Sequence, residues 1–292
     1  MAAIIIHGGC YDIVPGKEIQ KLSLKGIRTY GERGFKMLKE GACALDTAEA
    51  VLHLLEDDPL YDAGTGSFKT LNGEVEMDAL IMDSESRCGG VIGIQHVQYP
   101  SHVARLVMEK TPHNLLSGPG AEQFAFSQGV PWFKVVPNDD GFGSESPGNI
   151  KRMLGDIHYY NEYRKQDSSF STVGVAALDN RGYLVAATST GGIRRKMPGR
   201  VGDSALPGAG TYCTKELALS ATGEGEGITR ICLTARIAME YEQNKNLTEV
   251  LKKNIQRGSA IDCICGVIAL TKEGEYSYAF NGAFMAVYHN KT

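Results

Sequence analysis

At residue 172 the chain changes character in one step. The stretch SSFSTVGVAALDNRGYLVAATSTGG, residues 168–192, leaves a long polar run and enters two short apolar strands, TVGVAALD and YLVAATS, joined by the turn Asn180–Arg181–Gly182. Elsewhere, AAIIIH at residues 2–7 reads as a buried strand stopped by Gly8–Gly9. GSFKTLNGEVEMDALIMD reads as a hairpin about Asn72–Gly73, and GGVIGIQHV as another strand. CICGVIAL and YSYAFNG are expected to be the two closing strands.

Helices are expected over residues 18–40, 44–57 (capped by Asp46), 101–110 and 120–128, with another near 229–242. Strands clustered around hairpin turns, with helices grouped separately, argue for α+β layers and against an alternating βαβ sheet. Residues 137–171 form the one expected linker, PNDDGFGSESPGN followed by an exposed helix with a flexible end. A Gly-rich span runs from Gly191 to Gly227.

Charge and cysteine usage narrow the function. Thirty basic against 34 acidic residues give a formal charge of −4, with no basic stripe for nucleic acid or an anionic membrane, so a small molecule or peptide is the expected partner. No segment reaches the roughly 18 apolar residues of a membrane span, and the opening lacks a signal-peptide pattern, so a cytoplasmic protein is expected. Seven scattered cysteines show no zinc or disulfide spacing.

GEGEGI and GAGTYC lack the spacing of a phosphate loop, the histidines are dispersed without HxxxH-type metal spacing, and no GxSxG elbow occurs. What remains is threonine. Its hydroxyl is a poor nucleophile without an adjacent base, and one solution is the residue's own α-amine, freed by a cut before it. Such an amine titrates near 7.7 to 8.0 and can accept the hydroxyl proton at neutral pH. Thr172, at the head of a strand and after a polar segment, meets that requirement.

Over almost its whole length the chain resembles the plant-type asparaginase and isoaspartyl peptidase family of N-terminal nucleophile hydrolases. The resemblance rests on IIIHGG, YDAGTGS, NGEVEMDALIMD, ARLVMEKTPHNLL, TVGVAALD, AATSTGG, KMPGRVGDS, GAGTYC and ATGEGEGI, in that order. It implies a four-layer αββα sandwich, made as a single domain of residues 1–292 that cuts itself between Ser171 and Thr172 into an α chain 1–171 and a β chain 172–292. It further implies Thr172 as nucleophile in both steps and Thr190 as the hydroxyl that orients it.

By the same resemblance Arg200 and Asp203 clamp the substrate's α-carboxylate and α-ammonium, as bidentate guanidinium and carboxylate chemistry allows. Taken alone, an Arg and an Asp three residues apart would read as a local surface ion pair. Thr222 and Gly223 match the oxyanion hole, Gly225 the same pocket, and Gly8 and Gly9 the loop that shapes the cleavage site. The carbonyls of Leu55, Glu56, Asp58, Tyr61, Ala63 and Thr65 would wrap a structural sodium ion. No organic cofactor is implied, and the assembly would be a dimer of αβ units.

The expected activity is hydrolysis of L-asparagine and of β-aspartyl (isoaspartyl) dipeptides. Three residues depart from the pattern. Ser171 stands where relatives carry Gly or Asp, which predicts slower self-cleavage. Asp62 replaces Asn; as an ionised, acceptor-only carboxylate it would raise the pKa of the Thr172 amine. Cys10 replaces a small residue. The lysosomal glycosylasparaginases share this fold but need a signal peptide and disulfides that this sequence lacks. An uncleaved homologue that binds an aspartyl ligand or partner without turnover is the alternative from another class; a plain metabolite-binding domain would leave the Thr172, Thr190 and Thr222 set unexplained.

Overall fold

Strand β1 (Ala3–Tyr11) shows how the layers arise: Ile4 and Ile6 enter one hydrophobic cluster, with residues of α1 (Lys17–Lys39) and α2 (Ala44–Asp57), while Ala3 and Ile5 enter another. The computed structural model describes residues 1–136, 146–156, 158, 160 and 172–292. The same alternation recurs in β5 (Val173–Leu178), where Val173, Val175 and Ala177 face the helices and Ala176 and Leu178 the second cluster. In β6 (Leu184–Thr190), Val185 and Ala187 share the helical side, and Leu184 and Ala186 the other. Side chains alternate across a strand, so a strand apolar at every position needs cover on both faces.

That cover comes from a second sheet. The first has seven strands in the order β11-β1-β5-β6-β2-β3-β4, with β2 Met77–Asp83, β3 Cys88–Ile94, β4 Leu115–Ser117 and β11 Phe284–Lys291. The second has the order β10-β9-β8-β7, with β7 Thr211–Cys213, β8 Leu217–Gly223, β9 Cys265–Thr271 and β10 Tyr276–Phe280. Ala218, Ile268 and Leu270 face the first sheet; Leu217, Leu219, Val267 and Ala269 face a separate cluster with α7 (Leu233–Gln243) and α8 (Leu247–Ser259). Helices α3 (Pro100–Lys110) and α4 (Gly118–Ser127) cover β2 and β3. The result is the four-layer αββα sandwich.

Several local expectations are corrected. β1 does not stop at Gly8–Gly9 but crosses them with a register shift between His7 and Cys10. The N-cap of α2 is Cys43, whose Sγ accepts from the Asp46 N–H (3.3 Å); Asp46 lies in the first turn. Around Asn72–Gly73 only the isolated pair Lys69 and Val75 bridges, because β2 pairs instead with β3 and β6.

The Gly-rich span contains β7 and β8, the latter a central strand. The helix near 229–242 is two, α6 (Gly225–Ile231) and α7, broken at Cys232 with φ +48°. Helix α8 and strand β11 are additions to the elements expected from the sequence. Of the linker, residues 147–155 form α5 (Pro147–Gly155), while 137–145, 157, 159 and 161–171 lie outside the described residues, Ser171 among them.

Helix α1 approaches β11 through a glycine. A Cβ on Gly31 would fall 2.0 Å from Tyr288 Cδ1, inside the ring's contact distance. Alanine is the better helix former by about 1 kcal/mol, but overpacking typically costs about 1–3 kcal/mol, so packing should win. Gly31→Ala is therefore expected to lower the denaturation midpoint; an unchanged or raised midpoint would show that Tyr288 yields freely.

Candidate active site

Strand parity gathers the candidate residues. Thr172 is in phase with Ala176 and Leu178, Thr190 with Leu184 and Ala186, and Thr222 with Ala218, all of them side chains of the inter-sheet cluster. The three threonines thus continue the face between the sheets, at the end where apolar side chains give way to hydroxyls. Thr172 is 5% exposed and donates its hydroxyl to Thr190 Oγ1 at 3.2 Å. Thr190 Oγ1 also accepts the Gly192 N–H at 2.9 Å, so both of its acceptor sites are used and the Thr172 hydroxyl is held in one direction.

Thr222 is fixed from the far side of the site. The Cys10 N–H donates to its Oγ1 at 3.1 Å, which leaves the Thr222 hydroxyl hydrogen available as a donor. The β1 register shift at Gly8–Gly9 sets the amide's place in the ladder. A Cβ on Gly8 would lie 2.6 Å from Tyr61 Cε1, so the bulge has no room for a side chain. Gly223 has φ +130°, and a Cβ there would fall 2.2 Å from the Ile264 carbonyl oxygen. Only glycine meets both conditions.

Arg200 and Asp203 are not the local surface pair that their spacing suggests. Arg200 gives a two-point contact to Glu226, Nε to Oε1 at 3.0 Å and Nη2 to Oε2 at 2.8 Å. Asp203 is 4% exposed, and its Oδ2 is buried with no hydrogen-bond partner among the described residues. Burial pushes the Asp203 carboxyl up to about 7, against the pull of Arg200. Gly225 lines this corner, since a Cβ there would meet Arg200 Nη2 and Asp203 Oδ1, each at 2.8 Å.

Burial qualifies the sequence expectation for Asp62. It is buried, its Oδ1 accepts the Phe68 N–H at 2.8 Å, and its Oδ2 has no partner among the described residues. Burial pushes its carboxyl up to about 7. Below that pH it is a neutral acid with one acceptor and one donor, the pattern of the amide it replaces; above it, it is the ionised acceptor expected from the sequence.

Sequence reasoning missed several neighbours. Lys196 is fully buried, its ammonium donating to the carbonyls of Glu76 and Gly191, the latter at 2.9 Å. A lysine in RRKMPGR gave no hint of burial beyond its place inside a matched motif. Asp78 Oδ1 accepts the Gly93 N–H at 2.8 Å and its Oδ2 the Gly202 N–H at 3.4 Å, tying β2 to the loop that carries Arg200 and Asp203.

His7, fully buried, meets Ser220 Oγ at 2.9 Å; Ser220 bonds Thr188 (2.7 Å), Thr188 bonds Thr211, and Thr211 donates to the Ser204 carbonyl (2.9 Å). Burial lowers His7 to about 3, so its ring is neutral; the Gly9 N–H toward Nδ1 (3.4 Å) assigns the ring proton to Nε2.

The loop after α2 packs its glycines against main-chain carbonyls. A Cβ on Gly64 (φ +54°) would lie 2.3 Å from the Glu56 carbonyl oxygen, and one on Gly66 2.0 Å from that of Tyr61. The carbonyls of Asp58, Tyr61 and Ala63 each accept one backbone N–H, which leaves each a second lone pair. Such neutral oxygens fit a hard cation.

A sequence model for the asparaginase family matches residues 1–292. The chain belongs to that family. An isoaspartyl peptidase/L-asparaginase of Bos taurus is 36% identical, over 97% of this chain and 91% of its own. An isoaspartyl peptidase of Salmonella typhimurium is 38% identical, over 97% and 93%. A probable isoaspartyl peptidase/L-asparaginase 2 of Arabidopsis thaliana is 37% identical, over 96% and 92%. The asparaginase-family fold is thus shared along the whole chain, including the segments that carry the three threonines.

The buried Asp62 carboxyl makes a thermodynamic prediction. Its folded pKa of about 7 lies above the ordinary 3.8, so between these values the unfolded chain has released a proton that the folded chain keeps. Its contribution to stability therefore falls as pH rises from 4 to 7 and then levels, by a few kcal/mol at most at about 1.4 kcal/mol per pH unit. Asp62→Asn should remove that slope in denaturant titrations run across this range; parallel profiles for the two proteins would refute it.

Proposed function

We propose that the protein is a self-processing threonine amidohydrolase that releases ammonia from L-asparagine and cleaves β-aspartyl dipeptides. The observation that carries this reading is the Thr172 hydroxyl held on Thr190 at the head of β5, opposite a Thr222 hydroxyl whose acceptor side is taken by the Cys10 amide. The names of the relatives agree with the substrate class.

In the uncut chain the Thr172 nitrogen is an amide and cannot serve as a base. Thr172 Oγ1 attacks the Ser171 carbonyl carbon, its hydroxyl proton passes to the departing Thr172 nitrogen as the peptide C–N bond breaks, and an ester joins the two residues. Water then cleaves the ester, giving a carboxylate at Ser171 and a free amine at Thr172. In turnover that amine takes the Thr172 hydroxyl proton as Oγ1 attacks the substrate's side-chain carbonyl. The Thr222 hydroxyl and the Gly223 N–H receive the developing oxyanion, the amine returns its proton to the leaving ammonia or peptide, and water hydrolyses the β-aspartyl ester.

Arg200 would take the α-carboxylate in place of Glu226, and the buried Asp203 carboxylate the α-ammonium. The Leu55–Thr65 loop would hold a sodium ion that fixes the end of α2, supplying no step of the reaction. Seven free thiols support a cytoplasmic setting. Among the described residues no helix is long and apolar enough to cross a membrane. The exposed Ile13, Val14, Ile19, Leu22 and Leu24 support a dimeric assembly.

Thr172→Ala is the decisive variant: intact-mass measurement should find one uncut chain, where the parent gives two fragments with Thr172 at a new N-terminus. Hydrolysis of both substrates should drop by roughly 10⁴-fold or more. A parent that stays whole and inactive would favour the uncleaved aspartyl-binding alternative.

Asp203 must be ionised to receive an ammonium group. The KM for L-asparagine should therefore rise as pH falls from 8 to 6, approaching about tenfold per unit below 7. Initial-rate measurements on Asp203→Asn should find a weaker but pH-insensitive KM; the parent's pH dependence persisting in the variant would rule out this role.

A further inference from the structure

Away from the threonines, on the helices that cover the outer face of the seven-stranded sheet, three side chains come together that no spacing in the sequence links. Glu49 and His53 lie one turn apart on α2, and His102 reaches them from α3. One ligand-capable atom from each lies within 4.8 Å of the others. These histidines are dispersed in the sequence, and the α2–α3 packing joins them.

We propose that Glu49, His53 and His102 form a binding site for a divalent transition-metal ion of the zinc class. His53 Nε2 is the most direct indication: it is buried and has no hydrogen-bond partner among the described residues. A neutral ring nitrogen held from water and from other donors and acceptors is costly unless something fills the place. Its ring is set by stacking on Tyr99, centroids 4.1 Å apart, and it meets the His102 ring edge-on at 6.1 Å.

His102 Nδ1 lies 2.8 Å from Glu49 Oε1, so a single proton now occupies the space between two ligand atoms. In a tetrahedral zinc site, with metal–ligand distances near 2.0–2.2 Å, neighbouring ligand atoms stand about 3.3 Å apart. The three ligand atoms, now within 4.8 Å of one another, would reach that spacing by torsion of partly exposed side chains.

Arg105 does not forbid the ion. Its guanidinium is shared among Glu49 Oε2 (2.6 Å), Asp46 Oδ1 (2.7 Å) and Glu109 Oε1 (3.0 Å), so its charge is more than matched. The contact also leaves Glu49 Oε1 facing the histidines while its other oxygen is anchored, the support that metal-bound carboxylates commonly have. Two imidazoles and a carboxylate, with water as fourth ligand, suit zinc better than magnesium or calcium, which prefer oxygen alone. The ion would fasten α2 to α3 on the face of the sheet opposite the threonines.

The test is a zinc titration of the full chain after chelator dialysis, read by competition with a chromophoric chelator at pH 7.5. One equivalent should bind and raise the melting temperature. Affinity should fall at least tenfold in His53→Ala and in His102→Ala, and stoichiometric binding should vanish in the double variant. Glu49→Gln, which preserves shape, should also bind at least tenfold more weakly, and gives a second reading should a histidine variant fail to fold.

Cobalt(II) in place of zinc should give visible d–d bands without the near-ultraviolet absorption of a cobalt–thiolate bond. No saturable binding by the parent would overturn the proposal. So would undiminished binding by the double variant, which would place the ion elsewhere, or a thiolate band, which would place it on cysteines.

Discussion

Everything in this molecule depends on one constraint, the burial of β1, β5, β6, β8 and β9 on both faces. A strand with Ile4 and Ile6 on one side and Ala3 and Ile5 on the other cannot stop at two layers. The inner face has a further property: toward one end its residues change from alanine and leucine to threonine and serine. Hydroxyl groups placed there are shielded from bulk water yet close enough to satisfy one another, which lets a dry interior carry directed O–H groups without unpaired charge.

Electrostatics at that end follow from the same enclosure. Asp62 and Asp203 each keep an oxygen without a partner among the described residues, and burial lifts both carboxyls to about 7. His7 is displaced in the opposite direction for the same reason, since each group avoids its charged form when water is removed. Arg200, in contrast, keeps its charge because Glu226 meets it with two oxygens. The site therefore combines carboxyls whose ionisation burial opposes with a guanidinium held by a replaceable anion.

The α+β layering was legible because its strands are short, apolar and punctuated by turns, as TVGVAALD and YLVAATS are; the four-layer order was implied by the family resemblance alone. Strand β8 was hidden, since LALSATG lies inside a span dominated by glycine, and its small residues give a weak apolar signal. Helix α8 escaped although Leu247, Val250, Leu251, Asn254 and Ile255 are buried at helical spacing. Among site residues, the threonines and glycines were legible through matched motifs. Lys196, Asp78 and Glu226 were not, because each acts through a partner distant in sequence. Asp62 shows the limit most directly: its identity was plain, but its protonation depends on a burial that only the fold supplies.

The strand order has a consequence for any break in the chain between β4 and β5. Strand β1 lies between β11 and β5, and β2 lies against β6, so segments from before and after the break alternate within one sheet. The two pieces could not drift apart without dismantling the ladder, and the native assembly would persist as an interlocked pair. Once unfolded, however, they would be separate molecules that must find each other by diffusion. Recovery would then depend on concentration, whereas the uncut chain folds as a single unit. A cut made after folding converts a reversible structure into one whose durability rests on its slow disassembly.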